Sequence, residues 1–312
     1  MVRRHMSVAE RHVLFIPGKN PKPPVTVHHE VLWRCLSAGA RGPDGATAPD
    51  LAALGTRFHI AGWNELYYGA SADIGLDLPW VASMLMEVAP PVPRLGPWRT
   101  RLRWLTYTLG DLMPWLTRLA ADADARQTIE ETRRYFEDED GVATRVRRHV
   151  KSMLRPLFES GAEVMLVGHS LGSVIAYDVL WELTWQDAEP WRVDQLLTLG
   201  SPLGMFYVQR RLRGHGERGL RRYPGNVRHW TNVSAEGDLT ALDRRVHNDF
   251  HEMLDLGLVR DITDHTHGVH TSFRTADGPN PHRCYGYFFN PVVARMITGW
   301  LRGEPYPASA RF

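Results

Sequence analysis

One short motif in the chain has the residue types and the spacing for nucleophilic chemistry. It reads Gly168-His169-Ser170-Leu171-Gly172. The apolar run Val164–Val167 precedes it, and because this run does not alternate with polar residues it predicts a strand covered on both faces. A helix ending at about Thr184 is predicted to follow. A G-x-S-x-G sequence between a strand and a helix is the setting of a nucleophilic serine.

The composition of the motif has a physical reason. A strand that turns sharply into a helix brings its two arms together, and Gly168 and Gly172 remove the side chains that would collide. The hydroxyl of Ser170 is then held above the sheet. The N–H of Leu171, at the amino terminus of the helix, can donate a hydrogen bond to an oxyanion. The alternative is a glycine-rich turn with an ordinary serine. The side chain of His169 should point away from Ser170, which predicts a packing or orienting role.

Composition limits the classes of function. The chain has 312 residues, 43% of them hydrophobic and 23% charged, which is typical of a folded protein and excludes general disorder. Its 37 basic and 35 acidic side chains leave a formal net charge of +2, so we expect no nucleic-acid partner. Cys35 and Cys284 are too few for a disulfide framework. We expect no cofactor and no metal, and the sequence does not predict an oligomeric state.

Targeting signals are not evident in the sequence. The stretch before Pro17 contains early arginines but no apolar run of signal-peptide length. No uninterrupted apolar run approaches the roughly 18 residues needed to span a bilayer. We therefore expect a soluble cytoplasmic protein without a transmembrane segment.

Short apolar runs alternate with helical patterns along the chain. This alternation predicts an α/β protein with a mostly parallel central sheet flanked by helices, folded as a single domain over residues 1–312. The order of the strands is not readable from the pattern. The predicted strands are His12–Ile16, Phe58–Ala61, Val164–Val167, Leu196–Leu199 and Val227–Val233, and the predicted helices are Val27–Leu36, Gly141–Glu159, one ending at Thr184, and Asn290–Leu301.

Residues 70–140 differ from this pattern and predict a helical cap inserted into the domain. Between Arg101 and Leu119, leucines recur at spacings of three and four, which favours an amphipathic helix with a break near Pro114. The tryptophans of the insertion either pack its core or line an apolar substrate pocket. They are Trp80, Trp98, Trp104 and Trp115.

With these features the chain resembles the α/β-hydrolase superfamily, in particular its lipase-like and esterase-like members. The resemblance covers nearly the whole chain. It rests on the segments VMLVGHSLG, VLFIPG, TLGSPLG, WTNVSAEGD and NPHRCYGYFFNPVVARMITGWL. It implies the α/β-hydrolase fold. The sheet is predicted to begin with the strand ending at Ile16, without the two antiparallel strands that open the family's sheet.

The resemblance also implies a chain order of nucleophile, acid and histidine. The acid should follow the strand Val227–Val233, where Glu236 and Asp238 both qualify. Asp238 fits better because the family pattern places an aspartate at the end of this loop, before an apolar residue. Asp243 is a weaker candidate, because it falls in a stretch where the sequence predicts that a helix has already begun.

Several histidines could serve as the base. His282 lies in a Gly-Pro-Asn-Pro loop before the final helix, where the family carries its catalytic histidine. His265, His267 and His270 compete with it. The spacing of this group permits a metal site or a triad role for His270, but no H-E-x-x-H helix accompanies it, and ordinary loop histidines are the favoured interpretation.

The oxyanion hole needs a second N–H besides that of Leu171. The family supplies it from the loop after the first strand, which implies the N–H of Lys19, with Gly18 allowing a close backbone approach. Pro21 has no N–H to offer. The alternative is that Gly18 only makes the turn.

These residues, together with the resemblance, predict a serine hydrolase that cleaves carboxylic esters through a triad of Ser170, His282 and Asp238. The expected substrate is a small-molecule acyl ester or a lipid-like ester. Three alternatives remain open. They are a thioesterase or acyltransferase with the same triad, a binding protein that keeps the fold without catalysis, and a metal-dependent hydrolase built on His265, His267 and His270.

Overall fold

The computed structural model describes residues 9–41, 51–86, 123–238, 244–276 and 278–304, with the backbone alone for 123–129. A central sheet of six strands organises this part of the chain, and every neighbouring pair is parallel. In chain order the strands are β1 (Arg11–Ile16), β2 (Phe58–Ile60), β3 (Glu163–His169), β4 (Val193–Leu199), β5 (Val227–Val233) and β6 (Asp261–His265). The chain therefore has the α/β architecture that its sequence predicts.

Helices connect the strands and cover both faces of the sheet. They are α1 (Val25–Arg41), α2 (Leu51–Leu54), α3 (Asn64–Tyr68), α4 (Leu78–Met86), α5 (Ala123–Glu137), α6 (Val142–Glu159), α7 (Leu171–Trp185), α8 (Phe206–Gln209), α9 (Val246–Phe250), α10 (Glu252–Asp255), α11 (Cys284–Phe289) and α12 (Pro291–Arg302). A two-residue antiparallel pair, β7 (Arg274–Thr275) and β8 (Gly278–Pro279), lies before α11.

The order of strands across the sheet is β2-β1-β3-β4-β5-β6. From β1 the chain moves to β2 on one side, and it then crosses back to β3 on the other side. The connections after β1 and β3 thus lead to opposite sides of the sheet. Where two adjacent parallel strands have such connections, a crevice forms outside their carboxyl ends. The loop after β1 and the Ser170 turn after β3 both open onto this crevice.

The core lies on the two faces of the sheet. Because successive side chains of a strand point to opposite faces, neighbouring residues of β1 enter different clusters. Leu14 and Ile16 pack against α6 and α7 on one face. Val13 and Phe15 pack against α1, α11 and α12 on the other. Coverage on both faces explains why β1, β3 and β4 are apolar runs without alternation.

Most predicted elements are present, with shifted ends. β5 has the predicted bounds, whereas α1 extends over Val25–Arg41 rather than Val27–Leu36. It begins directly after Pro24, whose carbonyl accepts from the N–H of His28. β6 was not predicted, because the sequence Asp-Ile-Thr-Asp-His is mostly polar, as an edge strand can be.

The predicted cap is described only in part. α4 and α5 lie within residues 70–140, so the described portion of the insertion is helical. The leucine pattern of 101–119 lies outside the described residues, as do Trp98, Trp104 and Trp115. Among the helices of the described ranges, none combines the length and the apolar character that a membrane crossing requires.

Candidate active site

Ser170 lies on a strained turn between β3 and α7. Its backbone has φ +53° and ψ −128°, a conformation that costs a non-glycine residue about 1–3 kcal/mol. The glycines on either side are sterically required. A Cβ on Gly168 would lie 2.6 Å from the Cα of Ser173, and one on Gly172 would lie 2.1 Å from the carbonyl oxygen of Ile16. The sharp turn places the serine at the crevice.

Three residues that are far apart in the sequence meet in one chain of hydrogen bonds. The Nε2 of His282 lies 2.9 Å from the Oγ of Ser170. The Nδ1 of His282 lies 3.0 Å and 2.9 Å from the two carboxylate oxygens of Asp238. A carboxylate can only accept, so the proton of the imidazole belongs on Nδ1, and Nε2 accepts from the serine hydroxyl.

The carboxylate of Asp238 has a second partner that the sequence did not reveal. The hydroxyl of Tyr287 donates to Oδ2 at 2.6 Å and accepts from the N–H of Ala235 at 2.9 Å. Burial, together with the neighbouring Asp238, raises the pKa of Tyr287 well above its ordinary value. The phenol therefore stays protonated and remains a donor. Tyr287 is five residues after His282, on α11, and this proximity was the only signal in the sequence.

His169 packs against the imidazole of His282. The ring centroids are 4.8 Å apart, and the Nε2 of His169 lies 2.8 Å from the carbonyl oxygen of His282, to which it donates. Burial lowers the pKa of His169 well below its ordinary value, and nearby His282 and Lys22 act in the same direction. The ring is thus neutral, and its contacts agree with the predicted packing or orienting role.

The loop after β1 lies directly against the nucleophile. A Cβ on Gly18 would lie 2.9 Å from the Cβ of Ser170 and 2.8 Å from the Nδ1 of His169, so only glycine fits here. Lys19 follows in the same loop. Leu171 is the first residue of α7, where an N–H has no partner within the helix. Of the three predicted oxyanion residues, Gly18 therefore lies against Ser170 in the fold and Leu171 follows Ser170 in the chain, while Lys19 is the chain neighbour of Gly18.

The acid candidates separate clearly. Glu236 turns toward the segment after β6, where its Oε1 accepts from the N–H of Gly268 at 3.0 Å. Its other oxygen lies 3.8 Å from the Nδ1 of His270. Asp238 is the acid that contacts His282, while Asp243 lies outside the described residues.

The three competing histidines lie on and after β6, the edge strand three positions from β3 in the sheet. His265 belongs to β6 rather than to a loop, which corrects the interpretation of all three as loop residues. It pairs with Val233 of β5, as the preceding Asp264 pairs with Asn232. Local sequence patterns do not reveal this strand, because its residues are mostly polar. His267 and His270 do lie in the following loop. In the described ranges, no three His, Cys, Asp or Glu side chains are grouped to hold a metal ion.

Two further buried serines, Ser173 and Ser201, stabilise the backbone of the Ser170 turn. The hydroxyl of Ser173 donates to the carbonyl of Ser170 at 2.6 Å and lies 2.7 Å from the hydroxyl of Ser201. The N–H of Ser170 itself donates to the carbonyl of Leu199, at the end of β4, at 3.0 Å. These buried contacts fix the backbone of the turn to the neighbouring strand.

Comparison with models of known protein families, with curated proteins and with solved structures finds no match to this chain.

Proposed function

We propose that this protein is a serine hydrolase that cleaves carboxylic esters through an acyl-enzyme. The observation that carries the proposal is the unbroken hydrogen-bond chain from Ser170 through His282 to Asp238. A serine hydroxyl is a poor nucleophile at neutral pH and needs a positioned imidazole to remove its proton. The strained turn, the buried acid and the correct ring nitrogens are the features that such a reaction requires.

The reaction would proceed in two steps. The Oγ of Ser170 attacks the ester carbonyl while the Nε2 of His282 takes the hydroxyl proton and passes it to the leaving alcohol. Water, activated by the same nitrogen, then attacks the acyl-enzyme and releases the acid and the free serine. Asp238 holds the Nδ1 proton and stabilises the imidazolium. The N–H groups of Leu171 and Lys19 would bind the oxyanion of each tetrahedral intermediate.

Membership of the α/β-hydrolase superfamily is part of the proposal. It is supported by the parallel sheet, by the serine turn after a central strand, and by an acid after β5 with a histidine before the last helix. These are the positions that the sequence resemblance implies. The chemistry needs no cofactor, and the substrate class is a small-molecule acyl ester.

Turnover of acyl esters by three matched proteins tests the proposal. We expect wild type to hydrolyse p-nitrophenyl esters and Ser170→Ala to lose about 10⁶-fold in kcat. Ser234→Ala is the control, because Ser234 is a fully buried serine directly after β5. It should keep the wild-type rate. Equal activity of Ser170→Ala and wild type would contradict the proposal.

Two additional arms of that assay separate the other chemistries. A parallel panel of thioesters, amides and alcohol acceptors measures whether thioester cleavage or acyl transfer exceeds ester hydrolysis. EDTA and His270→Ala should leave the activity unchanged, because the proposed reaction uses neither a metal nor His270. Loss of activity in both would favour a metal-dependent hydrolase. A wild-type protein inactive on the whole panel would favour a binding protein with this fold.

A further inference from the structure

The loop of residues 17–20, after β1, has every one of its four carbonyl groups bound by a side chain. The indole N–H of Trp63 donates to the carbonyl of Pro17 at 2.8 Å. The amide nitrogen of Asn64 donates to the carbonyls of Gly18 and Asn20, both at 2.8 Å. The ammonium of Lys22 donates to the carbonyl of Lys19 at 2.6 Å. Side chains therefore set the orientation of consecutive peptide groups in this loop.

The orientation of a carbonyl fixes the orientation of the next N–H. In a planar trans peptide the two groups point in opposite directions. The carbonyl of Gly18 points to Asn64, so the N–H of Lys19 points to the side opposite Asn64. The next peptide obeys the same rule, since the carbonyl of Lys19 faces Lys22 while the N–H of Asn20 donates to the hydroxyl of Tyr68 at 2.9 Å.

The peptide between Gly18 and Lys19 lies beside the nucleophile, because a Cβ on Gly18 would collide with Ser170. Its orientation thus decides which group faces the crevice. A flipped peptide would present a carbonyl oxygen, which repels an oxyanion, in place of an N–H donor. Asn20 has φ +72°, in the left-handed region that asparagine adopts more readily than most residues.

Asn64 is suited to hold this peptide. It is the first residue of α3, four positions after the end of β2, and it is 2% exposed. Its amide nitrogen makes two hydrogen bonds to the loop, whereas its buried Oδ1 has no hydrogen-bond partner among the described residues. A buried unsatisfied acceptor is costly. The hydrogen bonds that Asn64 makes through its side chain therefore come from its N–H groups, which bind the loop.

We propose that Asn64 is the positioning residue of the oxyanion hole. It binds the carbonyls of Gly18 and Asn20 and so directs the N–H of Lys19 toward the substrate oxygen. This inference rests on the proposed serine-hydrolase function and extends it to a residue two strands away from the serine. Asn64 itself does not touch the substrate.

Asn64→Asp tests the proposal, because a carboxyl group keeps the shape of the side chain but has no N–H donor. Ionised it repels both carbonyls, and protonated it has one O–H and can donate to only one of them. We expect kcat for p-nitrophenyl esters to fall about 10²-fold, the effect of losing one oxyanion donor, with KM within twofold of wild type. The inhibition constant of a trifluoromethyl ketone, which forms a tetrahedral oxyanion on serine, should rise by the same factor as kcat/KM falls.

Asn226→Asp is the matched control. Asn226 is 6% exposed, precedes β5 at the opposite end of the sheet, and also has a buried Oδ1 without a hydrogen-bond partner in the described part of the chain. This variant should keep the kcat and the inhibition constant of wild type even where its melting temperature is lowered. Equal losses in both variants would overturn the proposal, because they would reflect stability alone.

A milder variant covers the case in which Asn64→Asp does not fold. Tyr68→Phe removes the acceptor of the Asn20 N–H and should lower kcat about fivefold, the worth of one hydrogen bond, at unchanged KM. An active wild type with unaffected variants would overturn the role of Asn64 and leave the hydrolase proposal intact. A wild type that neither hydrolyses esters nor reacts with the ketone would overturn both.

Discussion

The two sides of the candidate site are built by different means. On the histidine side (Asp238, His282, Tyr287 and His169), the carboxylate binds the side chains of His282 and Tyr287, and the ring of His169 packs against His282. On the loop side (residues 17–20 with Trp63 and Asn64), side chains bind the backbone and orient its peptide groups. The proposed reaction requires both. Proton transfer depends on side-chain atoms, whereas oxyanion binding depends on N–H groups that every residue except proline possesses.

This difference determines how each side should respond to substitution. On the histidine side, Asp238 and His282 should lose their function when a single atom is changed, because a particular oxygen or ring nitrogen takes part in the proposed proton transfer. The loop side should tolerate changes of side chain at Lys19, whose backbone alone is proposed to act. It should not tolerate a change in the direction of the peptide between Gly18 and Lys19. Substitutions on the two sides can therefore test the comparison directly.

Asp238→Asn on the histidine side should have the largest effect. An amide can donate to Nδ1, which favours the wrong tautomer of His282, and we expect kcat to fall about 10⁴-fold. The fold should remain, because the amide has the same shape. Steady-state kinetics and a thermal melt on the same sample measure both quantities. Activity within tenfold of wild type would show that the contact between Asp238 and His282 is not used in the reaction.

Gly18→Ala should have the next largest effect and tests the loop side. The added Cβ would lie 2.9 Å from the Cβ of Ser170, so the loop must move away from the serine. We expect a loss of about 10² in kcat from the displaced oxyanion donor. Lys19→Ala, which keeps the backbone, is the control and should retain kcat within threefold. The reverse ranking of these two variants would contradict a backbone role for the loop.

The pH dependence of folding stability tests the packing beneath α11, the helix that carries Tyr287. His28 packs against Tyr285 of α11, and burial lowers the pKa of His28 to about 3. Because the folded pKa is below the unfolded value, this histidine favours folding above about pH 6.5, and its contribution is lost as the pH falls toward 3. His28→Phe should remove this loss of stability at low pH, because phenylalanine does not titrate. The difference in free energy of unfolding between variant and wild type should change by about 1.4 kcal/mol per pH unit in that range.

Denaturant titrations at several pH values between 3 and 7 measure this difference. Parallel pH curves for wild type and His28→Phe would show that His28 does not stay neutral in the folded protein.

Tyr287→Phe should have the smallest effect of the series. It removes one donor to the carboxylate of Asp238 but leaves both contacts of that carboxylate with His282, so we expect kcat to fall about fivefold. Tyr285→Phe is the matched control on the same helix and should not lower kcat. A loss as large as that of Asp238→Asn would mean that the tyrosine, rather than the histidine, is the main partner of the acid.

The residues of the histidine side are more predictable from the sequence than those of the loop side. Ser170, Asp238 and His282 each belong to a short motif with a characteristic position, and the structure brings these three together. Asn64 and Trp63 carry no such signal, because their role depends on β2 lying beside β1, and strand order cannot be read from local patterns. Tyr287 was missed for a similar reason. Its hydroxyl meets Asp238 only through the packing of α11 against the end of β5.

Reaction of the protein with a fluorophosphonate tests the central claim most directly, because this reagent labels only a serine activated by its neighbours. The labelled protein is digested, and the modified peptide is identified by mass spectrometry. The account predicts a single adduct on Ser170 that is absent from Ser170→Ala and strongly reduced in His282→Ala. Full labelling of Ser170→Ala, or no labelling of wild type, would contradict it.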